Sequence, residues 1–129
     1  VIEKVQVAIA QILQQQPQKT AKDVKIACFG LAFKPDIDDL RESPALEITK
    51  KIASAHPGDV LVVEPNISVL PSSLIDLVKK VDADDAIKQA DVLLLLVDHQ
   101  PFRTMKMMMA AMAADMKKKI IDTRGAWLA

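Results

Sequence analysis

The sequence predicts an α/β fold: a doubly wound, mainly parallel sheet with helices on both faces, preceded by an amphipathic helix. Two observations carry this expectation. Short apolar runs alternate with helical-period segments along the 129 residues, the order that places crossover helices between parallel strands. The longest apolar run, Val92-Leu93-Leu94-Leu95-Leu96-Val97, shows no polar alternation, as burial on both faces of a parallel sheet requires.

Val1, Val5, Ala8 and Ile12, with Ile2, Ile9 and Leu13, recur at helical spacing, so residues 1–16 read as the amphipathic helix. Gln14-Gln15-Gln16-Pro17 ends it, and polar residues 18–23 form a linker. The first strand is 25–29. Ser43 is a good N-cap, with Pro44 at the first helical position and Glu47 in the first turn. Ala45, Ile48 and Ile52, with Leu46 and Ala53, give that helix a buried stripe, and His56-Pro57-Gly58 stops it. The second strand, 60–63, ends at Glu64-Pro65-Asn66.

Residues 71–80 read as a helix capped by Ser72 or Ser73, and 82–89 as a short helix feeding the strand 92–97. A long helix follows over 104–116. Its Met105, Met108, Met109, Met112 and Met116 fall at helical spacing, which favours a methionine face packed on the sheet over a metal or partner site. Lys119-Ile120-Ile121-Asp122 is the last strand. No internal repeat is visible, and the length suits one domain with a real core.

Composition narrows the function. Lysine plus arginine equals aspartate plus glutamate, 17 each, which argues against general binding to nucleic acid or an anionic membrane surface. Aromatics make up 3% and tyrosine is absent, which disfavours base-stacking single-strand binders. One cysteine, Cys28, excludes an intrachain disulfide and a cysteine-rich metal site, and points to a reducing, cytoplasmic compartment. No apolar run is long enough to span a bilayer, and no signal-like segment opens the chain. A start at Val1 rather than methionine is expected of an excised or processed chain.

The chemistry concentrates after the first strand, in Gly30-Leu31-Ala32-Phe33-Lys34-Pro35, followed by Asp36, Asp38, Asp39 and Arg41. In an open α/β sheet, ligands bind outside the carboxyl ends of the strands. Lys34 and Arg41 placed there, near the helix start at Ser43, suit a phosphate or diphosphate. The alternative for each is a solvated charge or a partner for the loop aspartates. Those aspartates lack the glycine and distal glutamate of a calcium loop. A dinucleotide fingerprint needs two more glycines after Gly30, and the chain has three in all. The pattern is that of a Rossmann-like sheet whose first loop serves another ligand.

Arg124, just past the last strand, can face the same crevice, with Gly125 allowing a sharp turn; the alternative is an ion pair with a nearby acid such as Asp122. Asp98-His99 ends an apolar strand and offers an acid–base pair, although a lone histidine there is more often structural. Cys28, inside a strand, reads as packing. A phosphoacceptor receiver would want acidic residues where Phe29-Gly30 stand.

Gly30-x-x-Phe33-Lys34-x-x-x-x-Asp39-x-Arg41-x-Ser43 resembles the signature opening the C-terminal domain of the UDP-glucose/GDP-mannose dehydrogenase family. Glu64-Pro65-Asn66, Val97-Asp98-His99 with Phe102, and Asp122-Thr123-Arg124-Gly125 follow in the family's order, so the resemblance runs over residues 23–128. These later pieces look most like the UDP-N-acetyl-D-mannosamine dehydrogenase branch. UDP-glucose enzymes tend to show Tyr-Asp-Pro where this chain has Val63-Glu64-Pro65.

The resemblance implies roles residue by residue. Phe33, Lys34 and Arg124 would contact the UDP-sugar, and Arg41 would reach an NAD bound by another domain. Cys28 does not match the family's catalytic cysteine, and neither the glycine-rich NAD-binding domain nor the central segment is recognisable here. Residues 1–22 would be a connecting helix and linker from the central region, and 23–129 the UDP-sugar-binding domain. The implied whole is a cytoplasmic homodimer that oxidises a sugar C6 alcohol to a carboxylate in two NAD-dependent steps, for surface-polysaccharide precursors. This chain alone is expected to be inactive. A stand-alone nucleotide-binding module or a pure assembly domain is the alternative.

Overall fold

In the computed structural model the apolar runs become parallel strands. The structure describes residues 1–114 and 118–127. Helix α1 spans Ile2–Gln15 and is followed by β1, Ile26–Phe29, then α2, Pro44–Ala55, and β2, Val60–Val63. A two-residue strand β3, Lys79–Lys80, precedes α3, Ala83–Gln89, and β4, Val92–Leu95. Helices α4, Gln100–Arg103, and α5, Lys106–Ala114, lead to β5, Lys119–Asp122. The sheet order is β3-β2-β1-β4-β5 and every pairing is parallel.

This order makes the sheet doubly wound. The chain moves outward from β1 through β2 to β3, returns to β4 beside β1, and then moves outward the other way. Right-handed crossovers therefore put α2 on one face and α3 and α5 on the other. Ile26, Cys28, Val60, Val62, Val92 and Leu94 pack with Ala45 and Ile52 of α2 on the first face. Ala27, Phe29, Leu61, Val63, Leu93 and Leu95 pack with Ala86, Phe102, Met109 and Trp127 on the second. The crossovers leave the first face of β4 and β5 without a helix of its own. Helix α1 fills that place, burying Val5, Ala8 and Ile12 in the first cluster.

Three expected elements differ. Residues 71–80 are not one helix. Leu74 and Val78 are anchored by turn hydrogen bonds to Pro71 and Leu74 carbonyls, but Ile75 and Leu77 stay exposed, so no helical apolar stripe forms. Lys79 and Lys80 instead pair with Leu61 and Val62 as a charged edge strand. The strand expected over 92–97 ends at Leu95, because the Leu96 and Val97 N–H groups both turn onto the Phe29 carbonyl.

The helix expected over 104–116 is divided. Pro101 starts α4 early, sitting in its first turn, and α5 begins separately at Lys106. Met109 is buried, and Met105 and Met112 pack against the second cluster. Met108 is exposed, so the methionine face is narrower than expected. Met116 lies outside the described residues.

Strand register decides where the loops lie. Phe29 pairs with both Val63 and Leu95, so β1, β2 and β4 finish level and their loops emerge side by side. Among the described residues no helix is long and apolar enough to cross a membrane.

Candidate functional site

The loop after β1 turns at Gly30, where φ is +96°, and a Cβ there would meet Val97. Only glycine takes that conformation at that approach without strain. The next two residues are fully buried and fully tied. The Leu31 and Ala32 N–H groups both donate to Glu64 Oε1, at 2.9 and 3.2 Å. Their carbonyls accept from Ser43 Oγ, at 2.6 and 3.2 Å. Ser43 also caps α2 by accepting from the Leu46 N–H at 3.2 Å, so the helix start is bonded to the loop that crosses it.

Phe33 and Lys34 follow this anchored pair and are exposed. Among the described residues Lys34 makes no hydrogen bond or ion pair. With Pro44 and Ala45 at the start of α2, and with Arg124, the two residues line a small cleft of about 60 Å³ at the carboxyl edge of the sheet. The structure thus brings together Phe33, Lys34 and Arg124 from two distant stretches of chain. The half-positive end of α2 adds to that cationic setting.

Arg41 stands apart. It forms a two-point ion pair with Asp39, Nε to Oδ1 at 3.1 Å and Nη2 to Oδ2 at 3.0 Å, with 89% of its side chain exposed. Hydrogen bonding to Arg41 holds the Asp39 carboxyl below its usual range. Arg41, Asp39 and Glu42 border a separate depression whose other wall is Phe33. Phe33 thus borders both the Lys34–Arg124 cleft and the depression beside Arg41.

Arg124 takes an ion pair with Asp98 at 3.4 Å, not with Asp122. The Asp122 carboxylate is used by the turn itself, accepting from the N–H groups of Arg124, Gly125 and Trp127 at 3.0, 2.8 and 2.7 Å. Trp127 locks the turn down. Its indole N–H donates to the Phe102 carbonyl at 2.8 Å, and its ring meets Phe29 edge-on at 5.2 Å.

Asp98 and His99 do not act together. Asp98 receives Arg124 and Arg103, whereas His99 Nε2 donates to Glu64 Oε1 at 2.8 Å with both side chains fully buried. His99 Nδ1 accepts the Asp36 N–H at 2.8 Å. Burial pushes the Glu64 carboxyl up, but hydrogen bonds from His99 and from the Leu31 and Asn66 N–H groups outweigh it, leaving it below the usual value. The sequence showed Glu64 only as part of a motif. Its one local signal is a carboxylate placed directly after four buried apolar strand residues. Asn66, also missed, reaches the Ile37 carbonyl at 3.0 Å. Burial pushes the Cys28 thiol up to about 12, so it is inert.

A profile of the UDP-glucose/GDP-mannose dehydrogenase family, UDP binding domain, matches residues 27–128. The chain belongs to this family. It is 51% identical over 128 residues to the UDP-N-acetyl-D-mannosamine dehydrogenase of Yersinia pestis, covering 98% of this chain and 29% of that enzyme. It is 47% identical over 115 residues to the NDP-N-acetyl-D-galactosaminuronic acid dehydrogenase of Ralstonia solanacearum, covering 89% of this chain and 26% of that one. The solved UDP-N-acetyl-mannosamine dehydrogenase of Staphylococcus aureus superposes with a TM-score of 0.64 at 26% identity, over 98% of this chain and 27% of that one. The chain therefore spans under a third of the dehydrogenases it matches. The matched span contains the Gly30–Ser43 loop.

Proposed function

We propose that this chain is the nucleotide-sugar-binding domain of an NAD-dependent UDP-sugar 6-dehydrogenase acting on UDP-N-acetyl-D-mannosamine. The observation that carries the reading is the shared cleft of Phe33, Lys34 and Arg124 beside the start of α2. Two cations and a helix N-terminus suit a diphosphate, and the Phe33 face suits an adjoining ring. The 51% identity to a UDP-N-acetyl-D-mannosamine dehydrogenase supports the sugar.

The chain's own β1 loop does not fit a dinucleotide. The two N–H groups that would receive a pyrophosphate are taken by Glu64, and Gly30 is pressed against Val97. NAD is therefore assigned to a part of the enzyme beyond this span, with Arg41 as the contact from this side. The residues here bind and orient the nucleotide-sugar, which is the entropic share of catalysis. We assign the enzyme to the cytoplasm and to a homodimer.

Calorimetric titration of UDP into the wild-type chain and Lys34→Ala tests the reading. Binding by the wild type and clear weakening in the variant are expected; equal affinity removes Lys34 from the site. NADH production by this chain from UDP-N-acetylmannosamine and NAD would sink the division of labour.

A further inference from the structure

The loop that carries Phe33 and Lys34 is held from both ends by one buried pair. We infer that Glu64 and His99 are positioning residues that set the Phe33-Lys34 segment for its ligand. The inference rests on the cleft being a UDP site and adds what fixes its geometry.

Glu64 Oε1 accepts from the Leu31 and Ala32 N–H groups and from His99 Nε2, and Oε2 accepts from the Asn66 N–H at 3.0 Å. Four donors suit a carboxylate, which has acceptor sites for all of them and no hydrogen to oppose any. A glutamine would turn its own N–H₂ against a donor whichever way it lay. On the other side, His99 Nδ1 accepts from the Asp36 N–H at 2.8 Å and lies 3.3 Å from Asn66 Nδ2. Both neighbours are donors, so the ring is the Nε2–H tautomer, a bridge from Glu64 to the backbone of residue 36.

Leu31-Ala32 and Asp36 thus bracket Phe33-Lys34-Pro35, and both brackets end on the same pair. Asp36 has φ +64°, a left-handed conformation that a non-glycine residue keeps only when its surroundings impose it. Its carboxylate is fixed as well, by the Gln100 N–H at 2.7 Å and Arg103 Nη2 at 3.1 Å. Without His99 the Asp36 N–H loses its acceptor, and the backbone bracket on the far side of Lys34 is left to the Asp36 carboxylate alone.

Two substitutions separate positioning from packing. His99→Asn keeps an acceptor near the Nδ1 place, whereas His99→Phe keeps the volume and removes it. UDP affinity is expected to fall about tenfold or more in His99→Phe and to stay within about threefold of wild type in His99→Asn, as loss of one buried hydrogen bond predicts. Equal affinities in folded proteins would overturn the inference. Nitrogen-15 spectra of the wild type supply a measurement without substitution. An unprotonated Nδ1 and an Asp36 amide that shift together when UDP is added support it; an Nδ1–H tautomer, or no response at either site, overturns it. Should the wild type bind no UDP, the cleft reading fails, and the tautomer and Asp36 amide protection still decide whether the pair holds the loop.

Discussion

A Cβ on Gly30 would lie 2.6 Å from the Cβ of Val97, so the turn leaving β1 and the bend after β4 share one space. Gly30→Ala must move one of them and also force alanine to φ +96°. The expected cost is about 1–3 kcal/mol or more. Trp127, buried and alone of its kind, reports the loss as a lower midpoint in fluorescence-monitored denaturation.

Lys34 and Arg124 are expected to behave alike, and Arg41 differently. Lys34→Ala and Arg124→Ala should each weaken UDP by roughly tenfold or more, since charge-assisted hydrogen bonds contribute about 1.5–3 kcal/mol. Both losses should shrink at high salt. Arg41→Ala should leave UDP affinity unchanged in calorimetry, because Arg41 lines a depression separate from the Lys34–Arg124 cleft. It should also leave stability unchanged, since its pair with Asp39 is exposed.

Acid should loosen the loop through Glu64. Its folded pKa is depressed below 4.5, so its stabilisation is present above that unfolded value and is lost as pH falls through the lower, folded one. Thermal midpoints measured from neutral pH downward should drop in that acid range. In Glu64→Gln the midpoint should be lower at neutral pH and less sensitive to acid, because the group that titrates is gone.

Cys28 should resist alkylation in the native state at neutral pH and react fully once the chain is unfolded. Burial raises its thiol to about 12, so the contribution of the neutral form is complete below about 9 and is lost only as pH rises towards the folded value. Rapid native labelling would contradict the buried strand.

Much of this fold was legible because local and global signals agree. Ser43, Pro44 and Glu47 mark the start of α2, and the structure adds only that Ser43 also binds the loop before it. The strand 60–63 was bounded by polar turns at both ends and came out unchanged. Residues 71–80 misled because Leu74 and Val78 are helically spaced while their neighbours face solvent, and the free edge of β2 captured Lys79 and Lys80.

Within the site, Lys34 and Arg124 could be singled out from their places after strands. Their meeting in one cleft depends on β1, β4 and β5 ending level, which no local pattern encodes. Arg124 does pair with a nearby acid, but with Asp98 and not the Asp122 closer in sequence, whose carboxylate accepts from three backbone N–H groups. Glu64 and His99, 35 residues apart, meet only through sheet order, so neither could announce the other.

The carboxylate of Glu64 has a wider consequence, because the domain supplies its own anion to the turn after β1. A backbone already satisfied in this way exerts no pull on a phosphate, and recognition passes to side chains at the rim. Such a rim can be rewritten one residue at a time without unravelling the loop beneath it. The shape of the turn is then set by the chain itself, and changes at the rim can alter what is bound there without touching the carboxylate that holds the backbone.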